Sequence, residues 1–336
     1  MPSEDACMSA SSIDLFEHPP AEFAGGVVTV GNFDGVHRGH AALVAAAKVL
    51  SLSMGGPVIA VTFDPPPLAL LDPGAIKPSL STLAERRERL LAAGATGVAT
   101  LRTDAALLSL SAESFFEEVI LGQFRAKAIV EGFNFRFGRG RSGDAVLLRE
   151  LCRSHGLAFE VVPPLLDGGE AISSSRIRQA LARGDVSAAA RWLGRPYAIE
   201  GTVVTGLQRG RTIGFPTANL TNVATVIPAP GVYATRIRLG DVWQPAAANV
   251  GANPTFGEAD AKIEAHVLDW SGDLYGRAVR LEFVSRLRDT IAFEGIEQLK
   301  AQLAVDVQRC RAALAVTFGS HQGDSSEPAS QNSTSA

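Results

Sequence analysis

Between Val27 and Val162 the chain alternates short apolar runs with segments of helical spacing. The runs Val27–Val30, Val58–Phe63, Gly97–Leu101, Ala128–Glu131 and Ala158–Val162 read as strands buried on both faces. A helix is expected from about Gly39 to Leu52. A second starts at Thr82, which forms a capping box with Glu85, and stops at Gly94. Two more are expected over Ser111–Ile120 and Asp144–His155, the latter stopped by Gly156. Strands alternating with helices of this length imply βαβ units and a parallel sheet. Ligands of such sheets sit beyond the carboxyl ends of the strands.

After about Pro196 the period changes. Tyr233, Thr235, Ile237 and Leu239 alternate with Ala234, Arg236 and Arg238; Val279, Leu281 and Phe283 alternate with Arg280 and Glu282. Period two with Gly- and Pro-containing turns implies an antiparallel sheet or barrel. A closing helix is expected from Ile296 to about Ala315, with Leu299, Leu303 and Val307 on one face. The join is expected between Gly184 and Pro196, giving domains over 16–185 and 186–318. The last residues, 319–336, lack apolar anchors and read as a disordered tail.

Composition narrows the function classes. A length of 336 residues suggests two domains at roughly 100–200 residues each. Lys and Arg total 31 against 35 Asp and Glu, so the basic surplus of a nucleic-acid binder is missing. Cys7, Cys152 and Cys310 lie far apart, which argues against a disulfide scaffold or structural zinc site. The first fifteen residues carry no Lys or Arg and no apolar stretch of signal-peptide type. No apolar run approaches a membrane span. These features predict a soluble, cytoplasmic protein, and the sequence does not fix its oligomeric state.

Chemistry concentrates in two places. VVTVGNFDGVHRGHAALV, Val27 to Val44, is a strand, a glycine-broken loop with H-x-G-H, and a helix. Gly31, Gly35 and Gly39 permit close backbone approach, and the following helix start suits an anion. His37 and His40 offer donors where a transferring phosphoryl gathers charge. An isolated H-x-G-H would be two surface histidines; here it follows a strand within GNFDG, where Gly31, Phe33, Asp34 and Gly39 are the expected ATP contacts. EGFNFRFGRGRSGD, Glu131 to Asp144, places Arg136, Arg139 and Arg141 among glycines and spaced aromatics, either as a solvated loop or as a mobile phosphate or base clamp that includes Asn134. ISSSRIRQAL, Ile172 to Leu181, opens a helix that Ser173 or Ser174 can cap, with Ser174, Ser175 and Arg178 available to phosphate.

The second place is GTVVTGLQRGRTIGFPTANL, Gly201 to Leu220. Gly206, Gly210 and Gly214 allow a tight flap over phosphate. Thr217 and Asn219, two apart on an extended chain, share a face and suit Mg²⁺ held jointly with ATP. Downstream, Glu264 lies in an alternating segment on the expected face of His266 and Leu268.

These motifs resemble the bacterial bifunctional riboflavin kinase/FMN adenylyltransferase family, also called FAD synthetase. The similarity runs from Val27 to Ala315 through GNFDGVHRGH, the TFDP starting at Thr62, GFNFRFGRGRSGD, ISSSRIR, GFPTANL and the segment from Leu287 to Asp306. It implies a Rossmann-like α/β nucleotidyltransferase domain followed by an antiparallel β-barrel kinase domain with a C-terminal helix. It implies that the barrel phosphorylates riboflavin to FMN with ATP and Mg²⁺. The first domain then adenylylates FMN to FAD and pyrophosphate. It implies that His37 and His40 contact ATP phosphates and that Glu264 is the kinase base. The sequence departs from the family pattern at Pro66, Ser175, Thr205 and Asn253. Two alternatives stay open at this point: an enzyme with one silenced head, and a flavin-binding sensor without turnover. The partners expected are small molecules, with no nucleic acid and no membrane.

Overall fold

A computed structural model describes residues 11–15, 21–75, 77–251 and 262–318. The tail expected over 319–336, Cys7 and Asn253 lie outside the described residues. The chain divides into two compact units. The first runs to Gln179 and includes Arg191–Arg195 and Ala224–Val226; the second holds Ala180–Ala190, Pro196–Val223 and the residues from Ile227 on.

The first unit is a six-stranded parallel sheet. Its strands are β1 (Ser11–Leu15), β2 (Val27–Val30), β3 (Val58–Asp64), β4 (Gly97–Arg102), β5 (Ala128–Gly132) and β6 (Ala158–Val162). They lie in the order β1-β4-β3-β2-β5-β6. Five of them match the expected runs within a residue. The sixth, β1, pairs with β4 and carries no apolar run to announce it.

Helices cover both faces, so successive strand residues enter different cores. Val27, Val58, Ala60 and Ala128 pack with Val44 and Ala47 of α1 (Arg38–Met54) and with Leu90 of α2 (Leu83–Ala92). Val28, Ile59, Val61 and Ile129 pack on the opposite side with Phe116, Val119 and Leu148. Thr82 caps α2 by accepting from the Glu85 backbone N–H at 3.2 Å, as the capping box requires. The helix expected over Ser111–Ile120 begins at Ala112, then widens into a π-helical stretch over Phe116–Gln123. Asp144 caps α3 (Ala145–Ser154).

The order places a switch point between β2 and β5, where connections leave in opposite directions. The ladder between them pairs Val27 with Ala128 and Val28 with Ile129, and goes no further. Beyond it the Val30 N–H donates instead to Glu131 Oε1 at 2.6 Å. Glu131 is 1% exposed, and burial drives its pKa well above the carboxylate range, favouring the neutral acid.

The second unit is a closed barrel of β7 (Tyr197–Val204), β8 (Ala218–Thr221), β9 (Gly231–Leu239), β10 (Val242–Gly251), β11 (Lys262–Val267) and β12 (Ala278–Arg288). The strand order is β7-β8-β11-β10-β9-β12, and every pairing is antiparallel. The closing helix runs over Ile296–Phe318 and packs Cys310 and Leu314 against Ala234, Leu268 and Val284. Ala234 was expected on the polar face of β9; helix cover buries it completely. Leu268 lies just past the end of β11 at Val267 and packs under the helix with Ala247, the partner of His266, so it keeps the face of Glu264 and His266. Asp306, 1% exposed, is neutralised by a two-pronged contact from Arg288 at 2.7–3.0 Å.

Glu131→Ala should leave the Val30 N–H buried and unpaired. The expected cost is about 1–3 kcal/mol, lowering the thermal transition of the first unit by a few degrees while the barrel transition stays in place. An unshifted transition by scanning calorimetry would show that another group replaces the carboxylate.

Candidate functional sites

The first candidate site is the loop from Gly31 to His37, at the carboxyl end of β2. Phe33, Gly35 and Val36 all have positive φ, at 45°, 78° and 39°. For a β-branched residue this conformation is held only by its surroundings. Asp34 supplies part of that hold. Its Oδ1 accepts from the backbone N–H groups of Leu80 and Ser81 at 2.9 and 3.3 Å, and its Oδ2 is tightly paired with Arg178. The Ser174 hydroxyl donates to the Asp34 carbonyl at 2.9 Å. These contacts bring the ISSSRIR helix start against the GNFDG loop. Ser173 is the residue that caps α4 (Ser174–Ala182), through the Arg176 N–H at 3.3 Å. Ser175 is exposed.

His37 caps α1, accepting the His40 N–H on Nδ1 at 3.3 Å. The two imidazoles stack with centroids 3.6 Å apart, and Phe33 meets His40 edge-on at 5.3 Å. A Cβ at Gly39 would sit 3.0 Å from the His37 ring, and one at Gly31 3.3 Å from the Phe33 ring, so both glycines admit these rings. Burial, with the Arg195 charge second, lowers the His37 pKa to about 4. Burial, then His37 and Arg86, holds His40 well below 6.5. Both rings are therefore neutral N–H donors in the free protein. The His40 Nδ1 and the Arg86 Nε are both buried without a partner, an arrangement that suits an incoming anion.

The sequence reading passed over Arg86, Glu131 and Arg195. ERRER looks like a solvated run, yet Arg86 lies four residues before Leu90 on the stripe facing the core. It is 3% exposed and donates to Thr62 Oγ1 and the Phe63 carbonyl at 3.1 and 3.2 Å. The segment from Glu131 to Asp144 forms a short hairpin pairing Arg136–Phe137 with Gly143–Asp144. Phe137 is buried and Phe135 packs on the same core, so of its three aromatics only Phe133 is exposed, beside exposed Asn134.

The second candidate site lies on the barrel. Register sets Asn219, Glu264 and Asn249 side by side across β8, β11 and β10. Paired residues share a face. Two cavities adjoin this row. One, of about 150 Å³, is lined by Glu264, Lys262, Phe215, Phe293 and Leu299. The other, of about 230 Å³, is lined by Gly206, Arg211, Trp270 and Tyr275. Thr217 and Asn219 line both. The flap between them contains a single helical turn, Arg209–Thr212. A Cβ at Gly206 would lie 2.4 Å from Asn219 Nδ2, and one at Gly210 2.3 Å from the Phe215 carbonyl. Gly214 has φ 89°. His266 Nδ1 contacts the Pro216 carbonyl at 2.8 Å and ties the flap to β11.

A parallel sheet with H-x-G-H at its switch point, followed by a barrel with paired cavities, defines a two-part ATP-dependent transferase. The FAD synthetase family matches residues 20–176, and the riboflavin kinase family matches residues 193–314. The bifunctional riboflavin kinase/FMN adenylyltransferase of Escherichia coli (strain K12) is 37% identical over 294 residues, covering 87% of this chain and 94% of the relative. The enzyme of the same description from Bacillus subtilis (strain 168) is 34% identical, covering 85% and 92%. A solved structure described as a macrolide-efflux protein from Streptococcus pneumoniae superposes with a TM-score of 0.82 at 34% identity, covering 89% of this chain and 98% of its own. Among the described residues no helix is long and apolar enough to cross a membrane. The chain belongs to the bifunctional riboflavin kinase/FMN adenylyltransferase family. It phosphorylates riboflavin to FMN and adenylylates FMN to FAD, using ATP in both steps.

The low His37 pKa has a readable consequence. Its ring-carbon resonance in the free enzyme should titrate with a midpoint near 4. The folded value lies below the unfolded 6.5, so the stabilisation is complete above that pH and fades as pH falls toward 4. A midpoint near 6.5 would mean that the ring is solvated.

Proposed function

We propose that residues 16–185 form the adenylyltransferase head and residues 186–318 the kinase head, with reaction roles as follows. In the kinase, riboflavin lies in the cavity lined by Phe215, Phe293 and Leu299, and ATP in the one lined by Gly206 and Trp270. The observation that carries this reading is the sharing of Thr217 and Asn219 by both cavities. There the γ-phosphoryl can meet the 5′-hydroxyl, and Glu264 takes the hydroxyl proton. Gly206, Gly210 and Gly214 bring flap backbone to the phosphates.

Mg²⁺ would fit the Thr217 hydroxyl and the Asn219 amide oxygen, hard donors that line both cavities. Among the described residues no cluster of three His, Cys, Asp or Glu forms a metal cage. When bound, the cation neutralises charge on the transferring phosphoryl.

In the other head, the FMN phosphate attacks the α-phosphorus of ATP and pyrophosphate leaves. The nucleophile is already an anion and needs no base. His37 and His40 donate to the developing charge, with Gly31, Phe33 and Gly39 shaping the loop. Asp34, Ser174 and Arg178 hold the loop closed on the start of α4, Ser175 faces the phosphates, and Asn134 lies at the rim. We place the enzyme in the cytoplasm, which its separated cysteines suit.

Two variants test the assignment in one assay, with riboflavin and Mg-ATP supplied and the flavins separated chromatographically. His40→Ala should remove about 2.7–4 kcal/mol of transition-state stabilisation from the second step, so FMN accumulates and FAD falls. Glu264→Gln should slow FMN formation by on the order of 10²–10⁴, while supplied FMN is still converted to FAD. Crossed effects, or equal loss of both products, would sink the residue assignments.

A further inference from the structure

We propose that Arg191–Arg195, although inside the stretch 186–318 assigned above to the kinase head, form a strap that serves the adenylyltransferase head, and that Arg195 is a positioning residue for its nucleotide loop. The last three residues of the segment lie in the stretch that similarity gives to the other activity, since the riboflavin kinase match begins at residue 193. Its contacts point elsewhere. Arg195 Nη2 donates to the Gly35 carbonyl at 2.7 Å, and Nη1 donates to the Val36 carbonyl at 3.1 Å. The same guanidinium approaches Glu85 at 3.8 Å. Gly35 and Val36 are two of the three loop residues with positive φ. One planar fork therefore pins consecutive carbonyls of the most strained part of the loop, just before His37.

The strap is anchored at its other end as well. Trp192 Nε1 donates to Asp167 Oδ2 at 2.6 Å, and the Arg176 guanidinium stacks on the Trp192 ring at 4.3 Å. Leu193 packs against Gly35, 3.4 Å from where a Cβ would stand. The backbone compactness of the chain agrees, since Arg191–Arg195 group with the first unit. Arg195 also faces His37, whose pKa it helps to lower. It thus holds the path of the loop, and its charge adds to burial in lowering the His37 pKa.

The inference rests on the assignment of the His37 loop to nucleotide, and the experiment separates the two. Full-length parent, Arg195→Ala, Arg195→Lys and His40→Ala are assayed for riboflavin phosphorylation and, separately, for FAD formation from supplied FMN. Arg195→Ala should lose on the order of 10²-fold in FAD formation, the scale of a misplaced reacting group, and keep its kinase rate. Its acid limb should move to higher pH, because a cation beside His37 is gone. Arg195→Lys keeps that charge, so its pH profile should match the parent, yet one ammonium cannot replace the fork and the rate should still fall. Its melting transition should stay at the parent value, which separates positioning from unfolding. An Arg195→Lys enzyme at the parent rate, or an Arg195→Ala enzyme that loses kinase activity instead, overturns the proposal. If His40→Ala still makes FAD normally, the loop reading fails first, and the strap's role falls with it.

Discussion

Buried backbone N–H and C=O groups must find partners, and the first candidate site lies where a strand ladder stops supplying them. In the first unit, β2 and β5 part company after two paired residues, and the Glu131 carboxyl takes the orphaned Val30 N–H. Apart from the Gly31 N–H on the Val61 carbonyl and a turn bond from the Val36 N–H to the Phe33 carbonyl, the loop that follows has no ladder. Its amides and carbonyls are met by side chains from far along the chain: Ser81 for the Gly35 N–H, Ser174 for the Asp34 carbonyl, Arg195 for those of Gly35 and Val36. On the barrel, His266 does the same for the Pro216 carbonyl. The first site is thus an interruption in regular pairing, kept in one shape by side-chain substitutes, whereas the barrel site stands on regular register.

Charge follows the same plan. The stacked histidines cannot both be cations at 3.6 Å in a desolvated place, and burial settles the matter by keeping both neutral. Positive charge near the loop comes from arginines, which do not lose their protons there. Arg178 is matched by Asp34 and Arg195 by Glu85, while Arg86 keeps a buried N–H without a partner. An anion arriving at the loop meets a donor set already oriented, with little left to reorganise.

Local chemistry was legible in the sequence. Five strands of the sheet and the Thr82 cap follow from short-range spacing, which a sequence displays directly, and Thr217 and Asn219 line the same two cavities. What escaped was long-range. β1 has mixed polarity, and only its pairing with β4 makes it a strand. Phe135 and Phe137 look like base-stacking residues until the hairpin turns them into the core. Arg195 acts on carbonyls about 160 positions away, and nothing in RWLGRPY announces that reach.

The two nucleophiles explain why the two heads spend their carboxylates differently. An alcohol must shed a proton to attack phosphorus, so the kinase head benefits from a carboxylate facing the cavity, and Glu264 lines one between Asn219 and Asn249. A phosphate monoester arrives deprotonated, so a free carboxylate beside it would only repel it. Asp34, the acidic residue inside the GNFDG loop, is accordingly occupied on both oxygens, by the Leu80 and Ser81 amides and by Arg178. On the proposed roles, an acid that serves as scaffold in one head and one that lines a cavity in the other is a distribution that suits the chemistry of the two acceptors.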